Sequence, residues 1–155
     1  VVPDIMTLAK TMGGGFPVGA MLAKKEIADL MVPGTHASTF GGGPLACASC
    51  LAVIDTIEKE KLLDNVNKMG EYLYQKLVYL KEKHPAIRKI KGLGLMRAME
   101  MDGEGSWLVS SSAENGLLIN CTQGNVIRIM PAITVNEDEI DEGIEILDRC
   151  LGVKK

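Results

Sequence analysis

Apolar residues recur at helical spacing in three long segments of this 155-residue chain. They predict amphipathic helices from Pro44 to about Glu60, from about Leu62 to Lys83, and from Asn136 onward. Pro85 should end the second helix, because proline lacks the backbone N–H that a helix needs. The third helix begins with a capping box, since Asn136 is followed three residues later by Glu139. Gly152 is expected to end it.

Short apolar runs bounded by glycine or proline predict strands. In the first half of the chain they cover residues 4–9 and 18–23. Both runs are apolar throughout, which predicts strands that are covered on both faces. Four further strands are expected, two of them within residues 86–101 and the others at 117–121 and 125–130. Shorter helices are predicted for Lys24 to Met31 and for residues 106–115, although three consecutive serines disfavour the latter.

The order of these elements predicts an α/β chain in three parts. Residues 1–50 have the pattern of a fragment of a larger α/β layer, residues 51–84 are connecting helices, and residues 85–155 form a small α+β domain. The chain begins Val1-Val2-Pro3-Asp4, without a methionine or a targeting signal, and enters a strand almost at once. We therefore expect it to be cut from a larger protein.

Composition and charge narrow the classes of function. Hydrophobic residues make up 46% and charged residues 24% of the chain, as in soluble globular proteins, and no apolar run is long enough for a membrane span. A net charge of -3 with scattered basic residues argues against a nucleic-acid partner. Cys47 and Cys50 form a CxxC pair without the further ligands of a zinc site, so both are expected to pack on the inner face of a helix. No metal is predicted, and the cysteine usage favours a reducing, cytoplasmic location.

Lys10 is the first candidate for chemistry. It follows the apolar run 4–9 and precedes three consecutive glycines, which leave space around its amine. Open α/β sheets bind ligands at the ends of their strands, and a desolvated lysine there can act as a nucleophile toward a carbonyl carbon. The alternative is a solvated surface lysine.

Residues 35–43 form the second candidate, a polar and glycine-rich loop that leads into the helix at Pro44. Ser38 and Thr39 offer hydroxyl groups, and the helix adds the positive end of its dipole. Together they suit an anion such as a phosphate. An ordinary capped loop explains the same pattern, and His36 is interpreted as structural.

Arg128 is the third candidate, because it interrupts the apolar run of a predicted strand. Its planar guanidinium suits a carboxylate. Simple alternation along a half-exposed strand is the competing interpretation. His84, at the end of a helix, is interpreted as a surface residue.

Three segments, in this order, together resemble one family of enzymes. LAKTMGGGFPVGAMLA (residues 8–23) resembles the cofactor-lysine signature of class III pyridoxal-phosphate-dependent aminotransferases, and GTHASTFGGGPLACA (34–48) is similar to their phosphate loop. NVIRIMPAITVNEDEIDEGIEIL (125–147) resembles their closing segment. The resemblance covers essentially the whole chain, and within the class it is strongest to the acetylornithine type.

The resemblance implies a fold and a set of roles. The chain would be the C-terminal portion of a fold-type I transferase: the end of the large-domain sheet, a connecting helix and a small α+β domain. Lys10 would hold pyridoxal 5'-phosphate and move the proton during the reaction. Thr39 would bind the cofactor phosphate in the neighbouring subunit of a homodimer, Ser38 would contact the substrate, and Arg128 would bind its α-carboxylate.

The implied reaction is transamination of N-acetylornithine with 2-oxoglutarate, in arginine biosynthesis. Alternatives are an ornithine or 4-aminobutyrate aminotransferase, a non-catalytic association fragment, or a phosphate-binding regulatory domain. Gly43 and Ala132 depart from the family's usual Asn and Pro, which leaves the subfamily open. The aspartate that pairs with the pyridine nitrogen in this family has no counterpart here, so the chain alone is expected to bind cofactor weakly and to be inactive.

Overall fold

The structure is a computed structural model that describes residues 1–153. Its internal contacts divide the chain into two compact units, Val1–Lys61 and a second unit from Leu62 onward. The boundary lies within the predicted connecting segment 51–84. Each unit mixes helices and strands, which confirms the predicted α/β class.

The first unit contains a two-stranded antiparallel sheet and two helices. Strand β1 (Ile5–Leu8) pairs with β2 (Ala20–Ala23), and a 3-10 turn (Lys10–Gly13) follows β1. Helix α1 (Lys25–Ala28) is short, whereas α2 (Pro44–Lys59) has Pro44 in its first turn, as predicted. All four residues of β1 are exposed, so the expectation that these strands are covered on both faces is wrong for this chain. A two-stranded sheet has no second layer of its own, and α2 packs on the 3-10 turn instead.

The second unit is a four-stranded antiparallel sheet with three helices. Its elements are α3 (Leu62–Lys83), β3 (Ile87–Leu93), β4 (Met96–Met101), α4 (Ser106–Glu114), β5 (Asn120–Thr122), β6 (Val126–Ile129) and α5 (Glu137–Val153). The strand order is β3-β4-β6-β5. Apolar residues from all three helices and the sheet share one core, among them Leu77, Leu80, Met99, Leu108, Ile127 and Leu147. The period-3.6 patterns of α3 and α5 therefore predicted the buried sides of these helices correctly.

Two boundaries in this unit differ from the prediction. Strand β5 begins at Asn120 rather than at residue 117, because the end of α4 uses the preceding residues. Gly116 adopts φ +89° and Leu117 N donates to Ser112 O at 2.9 Å, the pattern of a Schellman cap. At the other end, α5 continues through Gly152 to Val153, so the prediction that Gly152 ends the helix is wrong.

Helices α3 and α5 run parallel and are joined by side-chain contacts at successive turns. Lys68 pairs with Glu137 at 2.8 Å, Lys76 with Asp141 at 2.7 Å, and Lys83 with Asp148 at 2.5 Å. His84 Nε2 lies 2.6 Å from Asp148 Oδ1, and the histidine side chain is only 12% exposed. The interpretation of His84 as a surface residue is therefore wrong, because α5 covers it.

Helix α3 lies unusually close to the β3–β4 hairpin. A Cβ atom at Gly70 would lie 2.6 Å from the carbonyl carbon of Gly94, so only glycine fits at this point of the helix. The buried Arg97 spans the contact: Nη1 donates to Gly92 O at 2.8 Å and Nη2 to Gly70 O at 3.1 Å. Its guanidinium also lies 4.8 Å from the centre of the Tyr74 ring. Arg97 thus joins the helix to the sheet.

Candidate functional site

Lys10 stands directly after strand β1, at the first position of the 3-10 turn. Its backbone is left-handed, with φ +61°, and its side chain is exposed. A left-handed conformation is uncommon for a residue other than glycine, because the Cβ atom crowds the backbone. Such conformations persist only where the surroundings hold them, and they are frequent at functional sites. Lys61 and Gln123 share this conformation, so at Lys10 it identifies a constrained turn, and the functional argument rests on the amine that this turn carries.

Helix α2 holds the turn that carries Lys10. Ser49 Oγ donates to Gly13 O at 2.5 Å. A Cβ atom at Gly13 would lie 2.6 Å from Val18 Cγ1, and one at Gly14 would lie 3.0 Å from Val53 Cγ2. The glycines thus allow a close approach between the turn and its surroundings. As a result, the backbone of Lys10 is fixed while its amine remains free to reach a ligand.

Ser49 is a residue of the site that the sequence pattern does not reveal. A serine inside a helix carries no distinctive signal, and its role becomes visible only when its hydroxyl meets the carbonyl of Gly13 across 36 residues of sequence.

The loop 35–43 is exposed and organised by its own hydrogen bonds. Ser38 Oγ accepts from Gly41 N at 3.1 Å, and Thr35 Oγ1 donates to Val32 O at 2.7 Å. Gly42 adopts φ +69°, which allows the loop to turn into α2. Ser38 and Thr39 both lie on the exposed surface of this loop.

The start of α2 has the features of an anion-binding helix terminus. Gly43 occupies the N-cap position and no side chain caps the helix. The first turn contains no acidic residue, so no fixed negative charge opposes an anion there. Free backbone N–H groups, the helix dipole and the hydroxyl groups of Ser38 and Thr39 form a donor set that suits a phosphate. Because α2 also holds the Lys10 turn, one helix connects the two candidate segments: the amine of Lys10 fits an aldehyde carbon and the loop donors fit a phosphate, and the two need not serve the same cofactor molecule.

Arg128 belongs to the second unit and lies on the exposed face of strand β6. Its Nη2 donates to Met130 Sδ at 2.9 Å, a weak acceptor. Among the described residues, no carboxylate lies within ion-pair distance of this guanidinium. Its charge is therefore available for a ligand.

The cysteines differ from the expectation in one respect. Cys50 is buried on the inner face of α2, as predicted, but Cys47 is exposed and its Sγ lies 3.5 Å from Gly42 O. The buried residues of α2 are Ala46 and Cys50, and Cys47 lies beside them at the margin of this packed face. Within residues 1–153, no cluster of three or more His, Cys, Asp or Glu side chains could hold a metal ion. No helix in the same range is long and apolar enough to cross a membrane.

Comparison with known proteins places this arrangement in a family. The family model described as aminotransferase class-III matches residues 1–151. The acetylornithine aminotransferase of Caldanaerobacter subterraneus subsp. tengcongensis is 50% identical over 152 residues, which cover 97% of this chain and 38% of that protein. The acetylornithine aminotransferase of Methanothermobacter thermautotrophicus is 46% identical over 151 residues, covering 97% and 39%.

Solved structures show the same relationship. The acetylornithine aminotransferase from Elizabethkingia anophelis superimposes with a TM-score of 0.92 at 38% identity, covering 97% of this chain and 41% of the other. The ornithine aminotransferase from Toxoplasma gondii, whose active site holds PLP at partial occupancy, gives a TM-score of 0.91 at 33% identity, with 97% and 37% covered. The chain thus spans about two fifths of the length of these relatives.

Proposed function

The chain belongs to the class-III aminotransferase family, and we propose that it is part of an enzyme that transfers the amino group of N-acetylornithine to 2-oxoglutarate. The observation that carries the proposal is the exposed amine of Lys10 on a left-handed turn that α2 holds in place. A fixed backbone with a free amine is what covalent attachment of an aldehyde cofactor requires. The acetylornithine aminotransferases among its relatives support the choice of amino donor.

Pyridoxal phosphate, when bound, supplies an aldehyde carbon and a ring that takes up electrons. This chain's residues do the rest. The Nζ of Lys10 would hold the cofactor and, once released by the incoming amine, would move a proton at the substrate carbon that bears the free amino group.

Three further residues have proposed roles in binding. Thr39 donates its hydroxyl to the cofactor phosphate of a neighbouring subunit, which requires a homodimer. Ser38 contacts the substrate, and Arg128 binds its α-carboxylate through paired N–H groups. All three side chains are exposed, and Arg128 forms no ion pair with any residue between 1 and 153. We further propose that the enzyme acts in the cytoplasm.

The proposal is tested by trapping the cofactor. The chain is completed with the remaining part of the Caldanaerobacter relative, incubated with pyridoxal phosphate, reduced with borohydride and mapped by mass spectrometry. We expect one adduct, at Lys10, and none after Lys10→Ala. Lys24→Ala is the matched control, because Lys24 is tied to Asp4 at 2.5 Å and should not affect labelling. Labelling elsewhere with Lys10 unmodified contradicts the proposal.

Ornithine as the amino donor is the second candidate, favoured by the similarity to the Toxoplasma enzyme. Comparing kcat/KM of the completed protein for N-acetylornithine, ornithine and 4-aminobutyrate separates the three. We expect the chain by itself to bind cofactor weakly and to have no transaminase activity, since it covers only part of the length of its relatives.

A further inference from the structure

One row of side chains crosses the exposed face of the sheet in the second unit. The strand register places Ala98 of β4 opposite Arg128 of β6 on one side, and Asn120 of β5 opposite Arg128 on the other. Directly opposite residues of an antiparallel pair project from the same face, with Cβ atoms about 4.5–5.5 Å apart. Arg128 therefore has a methyl group on one side and an amide on the other.

The carboxylate of Glu100, on the same face of the sheet, does not pair with the guanidinium of Arg128. Glu100 lies two residues along β4 from Ala98 and projects from the same side of the sheet. Its carboxylate forms one ion pair with Lys91 and a second, at 3.6 Å, with Arg88. The hydrogen bond from Lys91 also holds the pKa of Glu100 below its usual value, so this pairing favours the ionised carboxylate. Glu100 therefore does not neutralise Arg128.

Asn120 is placed to act together with Arg128. It is exposed at the start of the edge strand β5, and no hydrogen bond within the described residues uses its side-chain amide. An amide offers two N–H donors and one acceptor oxygen. The register places this amide beside the side chain of Arg128, whereas Ala98 on the opposite side leaves space and offers no polar group.

We propose that Asn120 is a specificity-determining residue whose amide donates a hydrogen bond to the carboxylate that Arg128 binds. The inference rests on the proposed function and adds a residue to its carboxylate site. The guanidinium supplies the charge, and the amide of Asn120 fixes the plane in which the carboxylate lies. Substrates with a carboxylate on the α-carbon gain both contacts, and amines without one gain neither.

The test uses steady-state kinetics of the completed protein with N-acetylornithine and 2-oxoglutarate. Loss of one hydrogen bond to a charged group corresponds to roughly a 10-fold effect, so Asn120→Ala should raise KM for N-acetylornithine by about that factor with kcat within about twofold. Asn120→Asp, which places a negative charge beside Arg128, should raise KM by about 100-fold or more. Asn120→Gln keeps the amide and should recover part of the loss.

Thr122→Val is the matched control, because Thr122 lies on the same strand but opposite Val126 rather than Arg128. It should leave KM unchanged, and thermal unfolding should show that all variants fold equally well. If Arg128→Ala raises KM but Asn120→Ala behaves as Thr122→Val does, the inference about Asn120 is wrong and the proposed function stands. If Asn120→Ala lowers kcat by about 10-fold and leaves KM unchanged, the inference about Asn120 is also wrong. If the unsubstituted protein does not transaminate, both proposals fall.

Discussion

Two glycines inside helices differ in the space that a Cβ atom would have. A Cβ atom at Gly70 in α3 would lie 2.6 Å from the carbonyl carbon and 2.8 Å from the carbonyl oxygen of Gly94. At Gly143 in α5, the nearest atom would be Leu117 Cδ1 at 3.7 Å, an ordinary contact. The first glycine is needed for packing, and the second is not.

Alanine substitutions should separate these two cases. Gly70→Ala is expected to lower the free energy of unfolding by about 2 kcal/mol or more, because backbone atoms cannot move aside easily. Gly143→Ala should raise it by up to about 1 kcal/mol, since alanine is the better helix former. Urea denaturation of the chain and of both variants gives the comparison. Equal effects would show that the close approach at Gly70 does not constrain the fold.

At the scale of residues, local signals were predictable and long-range ones were not. The capping box at the start of α5 forms as expected: Glu139 N donates to Asn136 Oδ1 at 2.9 Å and Asn136 N to Glu139 Oε2 at 3.0 Å. Both partners of the capping box lie within one turn of the helix, so the sequence alone is enough to predict it. The buried position of Arg97 depends on carbonyl groups of α3 and β3 that only the folded chain brings together. The same holds for His84 and Asp148.

The parallel helices α3 and α5 depend on carboxylates of α5. A hydrogen bond from Lys76 lowers the pKa of Asp141, and one from Lys83 lowers the pKa of Asp148; both carboxyl groups have an ordinary value of 3.8. A lowered pKa means that the fold favours the ionised form. The stabilisation is therefore complete above about pH 5 and is lost progressively as the pH falls through the ordinary value and then through the lower values in the folded chain.

Removing both carboxylates should make the free energy of unfolding less dependent on pH under acidic conditions. We expect the free energy of unfolding of Asp141→Asn/Asp148→Asn to change less with pH, between about pH 2 and 5, than that of the unsubstituted chain. Urea unfolding at a series of pH values measures it. Asp102→Asn, at an exposed residue outside these contacts, serves as the control. Parallel curves for all three proteins would refute the assignment.

The element boundaries show which physical effects the sequence reveals. Helices α2 and α3 lie where apolar periodicity and proline predicted them, because those signals act within a few residues. Strand β5 starts later than expected, since the cap of α4 takes the backbone N–H of Leu117. Which of two neighbouring elements uses a given N–H group depends on the folded geometry, so the apolar periodicity does not predict it.

The first unit exposes apolar residues on both of its strands. Ile5, Met6 and Leu8 of β1 and Met21 and Leu22 of β2 are each more than a third exposed. Both edges of this two-stranded sheet also leave backbone groups unpaired. Exposed apolar strands of this kind associate with other chains in water. The match of the chain to about two fifths of its relatives agrees with a sheet that needs further partners.

We expect the chain by itself to self-associate, and sedimentation velocity over a range of concentrations should detect this. Leu22→Glu should shift the distribution toward monomer, because a charge on the strand face opposes association. Leu93→Glu, at an exposed residue of the hairpin in the second unit, should have little effect and serves as the control. A chain that stays monomeric at all concentrations would contradict the prediction. The resemblance predicted the α/β class correctly, but the apolar runs 4–9 and 18–23 do not reveal that their strands are exposed, because the cover of a strand comes from other segments and not from its own pattern.

Because the backbone at Lys10 is left-handed, the lysine proposed for chemistry is not the residue that would give the most stable fold at this position. Glycine adopts this conformation without the penalty of roughly 1 kcal/mol that a Cβ atom adds. Random variation screened only for yield or heat resistance would therefore favour Lys10→Gly and discard the amine without any warning in the folding data. The proposed role in holding the cofactor would account for a lysine at a position where glycine is the less strained residue.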